Sequence, residues 1–217
     1  MKPAPFRYHD PRTVADAAGL LADLPGARLL SGGQSLMPML NLRYVMPDDV
    51  IDLNRVAGLA HVTVEGDRVR IGGMTRQRDL ERSAVVARHL PVMQDALRWV
   101  GHLQTRNRGT IGGSLCHLDP AAELPAIATL YDATVTAVST RGARTIPMAE
   151  FPAFYMTPSL EPDEILTEVS FAPWRGRTAH GFVEFSRRHG DFAVVAAGCL
   201  LAAGDGGEIT RAAIVLG

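Results

Sequence analysis

Lysine is almost missing from these 217 residues. Lys2 is the only one, and every other basic residue is arginine. A Walker-type phosphate loop uses a lysine ammonium and a Schiff-base enzyme a lysine amine as nucleophile, so both are excluded. Cysteine is scarce too. Cys116 and Cys199 stand far apart. Two thiols cannot ligate an iron–sulfur cluster or a zinc ribbon from this chain alone, and they make no disulfide scaffold. Neither sign of charge predominates. A net charge of −1 gives no electrostatic footprint for nucleic acid or an anionic membrane. The N-terminal stretch "MKPAPFRYHD" has no apolar signal core, and no run is long enough to span a bilayer. The expectation is a soluble, cytoplasmic protein.

What is present is ordinary globular material. Hydrophobic residues make up 47% and charged residues 21%, enough core for one large domain or two small ones. Val14, Ala17, Leu21 and Leu24 recur at helical spacing behind Thr13, which forms a capping box with Asp16. Short strands are expected at "ARLL" and "DDVIDLN". "HVTVEGDRVRIGG" alternates around Glu65-Gly66-Asp67-Arg68 and reads as a hairpin. A helix is expected from about Thr75, and a second from Pro91 to Trp99-Val100, closed by Gly101. Asp119-Pro120 reads as the N-cap and first turn of a helix running to about Tyr131. "ATVTAVSTRGARTIPM" reads as another hairpin. "EILTEVSFAP", "HGFVEFSRR" and "AVVAAGCLLAAGDGGEITRAAIVLG" supply further strands, and "FAPWRGRTAHG" reads as a linker. Helices and hairpins follow one another without regular alternation, so the fold class is α+β. Boundaries are expected at 1–58, 59–175 and 176–217. The chain ends on the apolar strand "AAIVLG", so a longer gene product is expected.

Two segments share a design. "LLSGGQSL" and "TIGGSLCHL" each place a Gly-Gly pair after apolar residues and follow it with serine. Paired glycines let successive backbone N–H groups point one way and let a phosphate approach closely. They also mark ordinary tight turns, as "RIGGMT" and "DGGE" illustrate, so the pair alone leaves both readings open. Neither segment fits Gly-x-Gly-x-x-Gly, which disfavours a Rossmann site. "RRHGD", residues 187–191, reads as a solvated turn in preference to a charged active-site cluster. Cys116, His117 and Asp119 are too crowded to make a good metal site. Met37 and Met39 read as core filler, and Tyr155 as a buried aromatic.

Four ordered blocks, "LLSGGQSLMPMLNLR", "IGGMTRQRDLERS", "GTIGGSLCHLDPAAELPA" and "EFSRRHGDFAVVAAG", together resemble the flavin-binding medium subunit of molybdenum hydroxylases. This is the carbon monoxide dehydrogenase, xanthine dehydrogenase and nicotine dehydrogenase group. The resemblance runs from about Phe6 to Gly217. It implies a two-subdomain FAD-binding fold of the vanillyl-alcohol oxidase type, followed by the beginning of a C-terminal α+β domain. Leu29, Leu30, Ser31, Gly32, Gly33, Gln34, Ser35 and Leu36 would form a first FAD loop, with Gly32 to Ser35 against the pyrophosphate. Thr110, Ile111, Gly112, Gly113 and Ser114 would form a second. Glu123 matches a carboxylate on the ribose or adenine side, Val100 an apolar FAD contact, and Leu166 a residue packing near the flavin.

There are departures. Ser31 stands where alanine is common and Ser114 where asparagine is common. Glu184 or Val183 falls where several relatives carry a lysine near the flavin. The implied activity is electron transfer by FAD within a multi-subunit oxidoreductase. The implied partners are a small iron–sulfur subunit and a large molybdopterin subunit, in a heterotrimer or its dimer. The alternatives are a stand-alone flavoenzyme on the same scaffold and a flavin-free assembly protein.

Overall fold

The computed structural model describes residues 1–217. The chain opens with β1 (Arg7–His9), α1 (Val14–Asp23), β2 (Arg28–Leu30), α2 (Leu36–Asn41) and β3 (Asp49–Asp52). β1 and β2 both run parallel to β3, which lies between them. Thr13 caps α1: its Oγ1 accepts from the Asp16 N–H at 3.1 Å and donates to the Asp16 carboxylate at 2.7 Å. Asp49 is buried on β3, yet Arg7 donates to both of its oxygens and the His9 ring lies 2.7 Å away. Those contacts satisfy a carboxylate that burial would otherwise disfavour.

The middle of the chain contains β4 (Val62–Glu65), β5 (Arg68–Gly72), α3 (Gln77–Arg82), α4 (Ala84–His89), α5 (Pro91–Leu97), α6 (Leu103–Arg108), α7 (Ile111–His117) and α8 (Glu123–Leu130). It continues through β6 (Thr134–Ser139), β7 (Gly142–Pro147), β8 (Pro152–Phe154), β9 (Thr157–Pro158) and β10 (Ile165–Phe171). Five of these strands make one antiparallel sheet in the order β4-β5-β10-β6-β7. Its inward residues, among them Val69, Ile71, Val135, Ala137, Val169 and Phe171, join a core of 30 buried residues with the helices. Phe171 meets Tyr131 edge-on at 6.1 Å between ring centres. β10 carries a bulge at Thr167, between the paired positions Leu166 and Glu168.

Last come β11 (Arg177–Phe185), β12 (Val195–Ala203) and β13 (Ile209–Leu216), an antiparallel sheet in chain order. Phe182, Ala196 and Leu200 on one face join the 30-residue core. On the other face Val183, Phe185, Ile214 and Leu216 are each at least 63% exposed.

The α+β class is observed, with several local corrections. The helix expected from Thr75 is two, because Ser83 ends α3 and caps α4 by accepting from the Val86 N–H at 3.3 Å. Asp119 does not cap a helix. It accepts from the Ala121 N–H in a turn, and α8 begins only at Glu123. The second glycine-rich segment is not a loop after a strand: it follows α6, and Gly112 and Gly113 lie in the first turns of α7. The expected linker shrinks to residues 172–176, since β11 has begun by Arg177. Tyr155 is 66% exposed between β8 and β9 rather than buried. Met37 and Met39 are half-buried rather than core.

Candidate functional site

The two glycine-rich segments meet at a cleft of about 840 Å³. The first leaves the end of β2 and the second opens α7. They touch backbone to backbone, because a Cβ on Gly32 would collide with the Arg108 carbonyl and lie 2.8 Å from the Gly109 Cα. Glycine at 32 is therefore demanded by packing. Gly33 has φ +73°, a left-handed conformation that favours glycine.

Side chains join the segments as well. The Ser31 and Thr110 hydroxyls lie 2.5 Å apart, Ser31 Oγ donates to Met74 Sδ at 3.0 Å, and the Gly113 N–H donates to Thr110 Oγ1 at 3.0 Å. Ser31 has one hydroxyl hydrogen, so the Thr110 O–H must donate to Ser31. Asn54 Nδ2 donates to the Ser31 carbonyl at 3.0 Å.

The segments differ in the amides they offer. The N–H groups of Gly32, Gly33, Gln34, Ser35 and Leu36 donate no hydrogen bond within the chain, to backbone or side chain. At α7 the first four N–H groups are all used: Ile111 donates to Thr75 O, Gly112 to Gly73 O, Gly113 to Thr110 Oγ1 and Ser114 to Thr110 O. So the expectation of two equivalent amide cradles is corrected. The first segment presents a run of free donors, and the second presents a braced helix end and the Ser114 hydroxyl. Gly112 is small for a structural reason, since a Cβ there would lie 2.6 Å from the Gly73 carbonyl. Gly73 in turn packs on the Leu166 carbonyl, 2.6 Å from where its own Cβ would be, and donates to Thr167 O at the β10 bulge.

The cleft gathers Leu29, Ser31, Gly32, Gly33, Gln34, Ser35, Leu36, Val100, Thr110, Gly112, Gly113, Ser114, Glu123 and Leu166. Leu30 and Ile111 do not line it, and Ile111 belongs to the core. Cys116, His117 and Asp119 border the cleft but no three-residue metal-ligating group forms. Burial pushes the Cys116 thiol up to about 12.

Sequence reasoning missed Met74, Gln77, Asp191 and Phe192, which also line the cleft. Gln77 Oε1 is buried without a hydrogen-bond partner. "RIGGM" did carry a signal for Met74, but its glycine pair looked like any hairpin end. "RRHGD" was read as a solvated turn. Arg187, Arg188 and His189 are exposed, whereas Gly190 and Asp191 turn into the cleft.

Two carboxyl groups stand out electrostatically. Burial, with a lesser contribution from the nearby charge of Glu184, pushes Glu123 up to about 7. Burial also raises Glu184, whose Oε2 has no hydrogen-bond partner. Where relatives were expected to carry a lysine, the inward residue is thus Glu184, while Val183 points outward and is 66% exposed.

Residues 4–174 match the family described as the FAD binding domain in molybdopterin dehydrogenase. The chain belongs to this family. It is 42% identical, over all 217 residues and 73% of the relative, to the 6-hydroxypseudooxynicotine dehydrogenase complex subunit alpha of Paenarthrobacter nicotinovorans. Carbon monoxide dehydrogenase from Hydrogenophaga pseudoflava has a chain that superposes with TM-score 0.96 at 34% identity, covering 100% of this chain and 75% of that one. Quinoline 2-oxidoreductase from Pseudomonas putida 86 gives TM-score 0.95 at 34% identity, with 100% and 75% covered.

This FAD domain fits the group its family binds. Five free amides and two hydroxyls without intrachain partners, on Ser35 and Ser114, match the acceptors of a pyrophosphate. Gly32 and Gly33 serve this by letting the loop pack closely on the Arg108–Gly109 backbone and take its left-handed turn.

Proposed function

We propose that this chain is the FAD-binding electron-transfer subunit of a molybdenum hydroxylase complex. It would take electrons from iron–sulfur clusters in a small partner subunit and deliver them to an external acceptor. Substrate would be oxidised in a large molybdopterin subunit, the whole forming a heterotrimer or its dimer. The carrying observation is the run of free amides from Gly32 to Leu36 beside the braced α7 end, both lining one cleft. FAD, when bound, exchanges electrons singly on one side and in pairs on the other.

The chain's own work is binding and orientation. Gly32, Gly33, Gln34 and Ser35 would donate to the pyrophosphate, with Ser31 and Thr110 fixing the spacing and Ser114 adding a hydroxyl. Glu123 would accept from a hydroxyl on the ribose side. Val100, Leu29, Leu36 and Leu166 would supply apolar contact and exclude water. Leu30 and Ile111 would act from behind, through the strand and the core. The reading includes the vanillyl-alcohol oxidase type of subdomain arrangement, boundaries at 1–58, 59–175 and 176–217, and a cytoplasmic location.

The test is direct. The purified complex should show a flavin spectrum and release stoichiometric FAD on denaturation. Stoichiometric NAD, or no nucleotide, would overturn the reading. Steady turnover by the isolated chain would point instead to a stand-alone flavoenzyme.

A further inference from the structure

The carbonyls flanking the close approach of the two segments are held by one small relay. Arg76 stands just before α3, half-buried, and is bridged to Thr110 through the backbone. Its guanidinium donates through one nitrogen to the Arg108 carbonyl and through the other to Asn54 Oδ1. The Asn54 amide nitrogen donates to the Ser31 carbonyl at 3.0 Å and also to Asp52. The Arg108 carbonyl is the same atom that Gly32 packs against. Arg76 makes no ion pair with any carboxylate, and it does not line the cleft.

We infer that Arg76 is a positioning residue for FAD: its two-pronged guanidinium, acting through Asn54, sets the spacing between the Gly32 loop and the start of α7. This rests on the FAD reading of the cleft. A planar fork can bridge two acceptors that lie in different directions, whereas an ammonium keeps the charge without the fixed geometry. Asn54 completes the relay because its oxygen accepts from Arg76 while its nitrogen donates to Ser31. The assignment of that oxygen follows from the network, since only this orientation serves both neighbours.

The experiment uses the holoprotein stripped of FAD and titrated with FAD by flavin fluorescence, with visible circular dichroism of the bound flavin as a second readout. Variants are Arg76→Lys, Arg76→Met, Asn54→Ala and the double Arg76→Met/Asn54→Ala. Arg76→Lys is expected to fold normally, bind FAD about tenfold more weakly and change the flavin dichroism, because the charge survives and the bridge does not. Arg76→Met should be weaker still, because both guanidinium hydrogen bonds are lost. The double variant should be no weaker than the worse single one, as members of one relay are non-additive. Wild-type affinity and dichroism in Arg76→Lys, or additive losses in the double variant, would overturn the proposal while leaving FAD binding intact. Failure of the wild-type protein to take up FAD would instead remove the reading on which it rests.

Discussion

Gly32, Glu123 and Cys116 behave differently from what their residue types suggest, and each difference is measurable. Gly32→Val forces a side chain into the Arg108 carbonyl, so the variant should lose most of its bound flavin, read as the ratio of visible to ultraviolet absorbance. Gly33→Ala meets only the flexible Met37 and Leu30 side chains, at 3.1 and 3.3 Å, but must hold φ +73°, a strain of about 1 kcal/mol. It should show a smaller loss.

Glu123 titrates at about 7 in the fold, against an ordinary 4.5. Between those values the folded chain holds a proton that the unfolded chain has released. FAD-free stability is therefore highest at the acid end of this window, falls as pH rises through it, and levels off above it. Glu184 adds in the same direction. Asp49, Glu81, Asp163 and Glu164 are shifted downward by arginine partners, so their contribution is lost only at lower pH. Glu123→Gln should flatten the melting temperature between pH 5 and 8, and an unchanged slope would assign the effect elsewhere. Cys116, with its thiol raised to about 12, should resist alkylation at pH 8 until the protein unfolds. The glycine pairs were legible as sequence. Which amides stay free was not, because two acceptors for α7, Thr75 O and Gly73 O, come from the distant connection between β5 and α3.

At the level of elements, periodicity served well where a segment was long or cleanly alternating. α1, the β4–β5 and β6–β7 hairpins and the strands from β10 onward all follow their patterns. β1, β8 and β9 have three residues or fewer, too short for alternation to register. The α7 start was misread for an energetic reason. Two glycines cost a helix about 1 kcal/mol each, so "TIGGS" reads as a loop. Packing of Gly112 on Gly73, and the Thr110 cap, outweigh that cost in the fold. Thr110→Ala removes the cap to Gly113 and the link to Ser31. It should cost about 1–2 kcal/mol in urea unfolding. Phe171→Ala, at the fully buried edge contact with Tyr131, should cost about 3–5 kcal/mol. The solvated-turn reading of "RRHGD" was half right. Charge described its exposed half, and nothing in a single sequence reveals that Gly190 and Asp191 fold back over a cleft assembled from segments distant in the chain.

On the scale of the whole molecule, the three larger sheets meet through the helices, and the sheet of β11, β12 and β13 leaves an apolar face outward. Val183, Phe185, Ile214 and Leu216 form much of it. A patch of this kind promotes association. The 217-residue chain expressed alone should sediment partly as oligomers, and Ile214→Lys with Leu216→Lys should shift it toward monomer. The contrast between the two glycine segments reaches further. One half of the cleft is complete before any nucleotide arrives, and the other half is completed by it. Hydrogen–deuterium exchange should show this asymmetry in time. The amides of residues 111–114 should exchange slowly with or without FAD, while those of residues 32–36 should exchange within the earliest time points until FAD is added and then slow sharply. Nucleotide capture would then supply the missing acceptors to five consecutive peptide groups already set against a fixed wall.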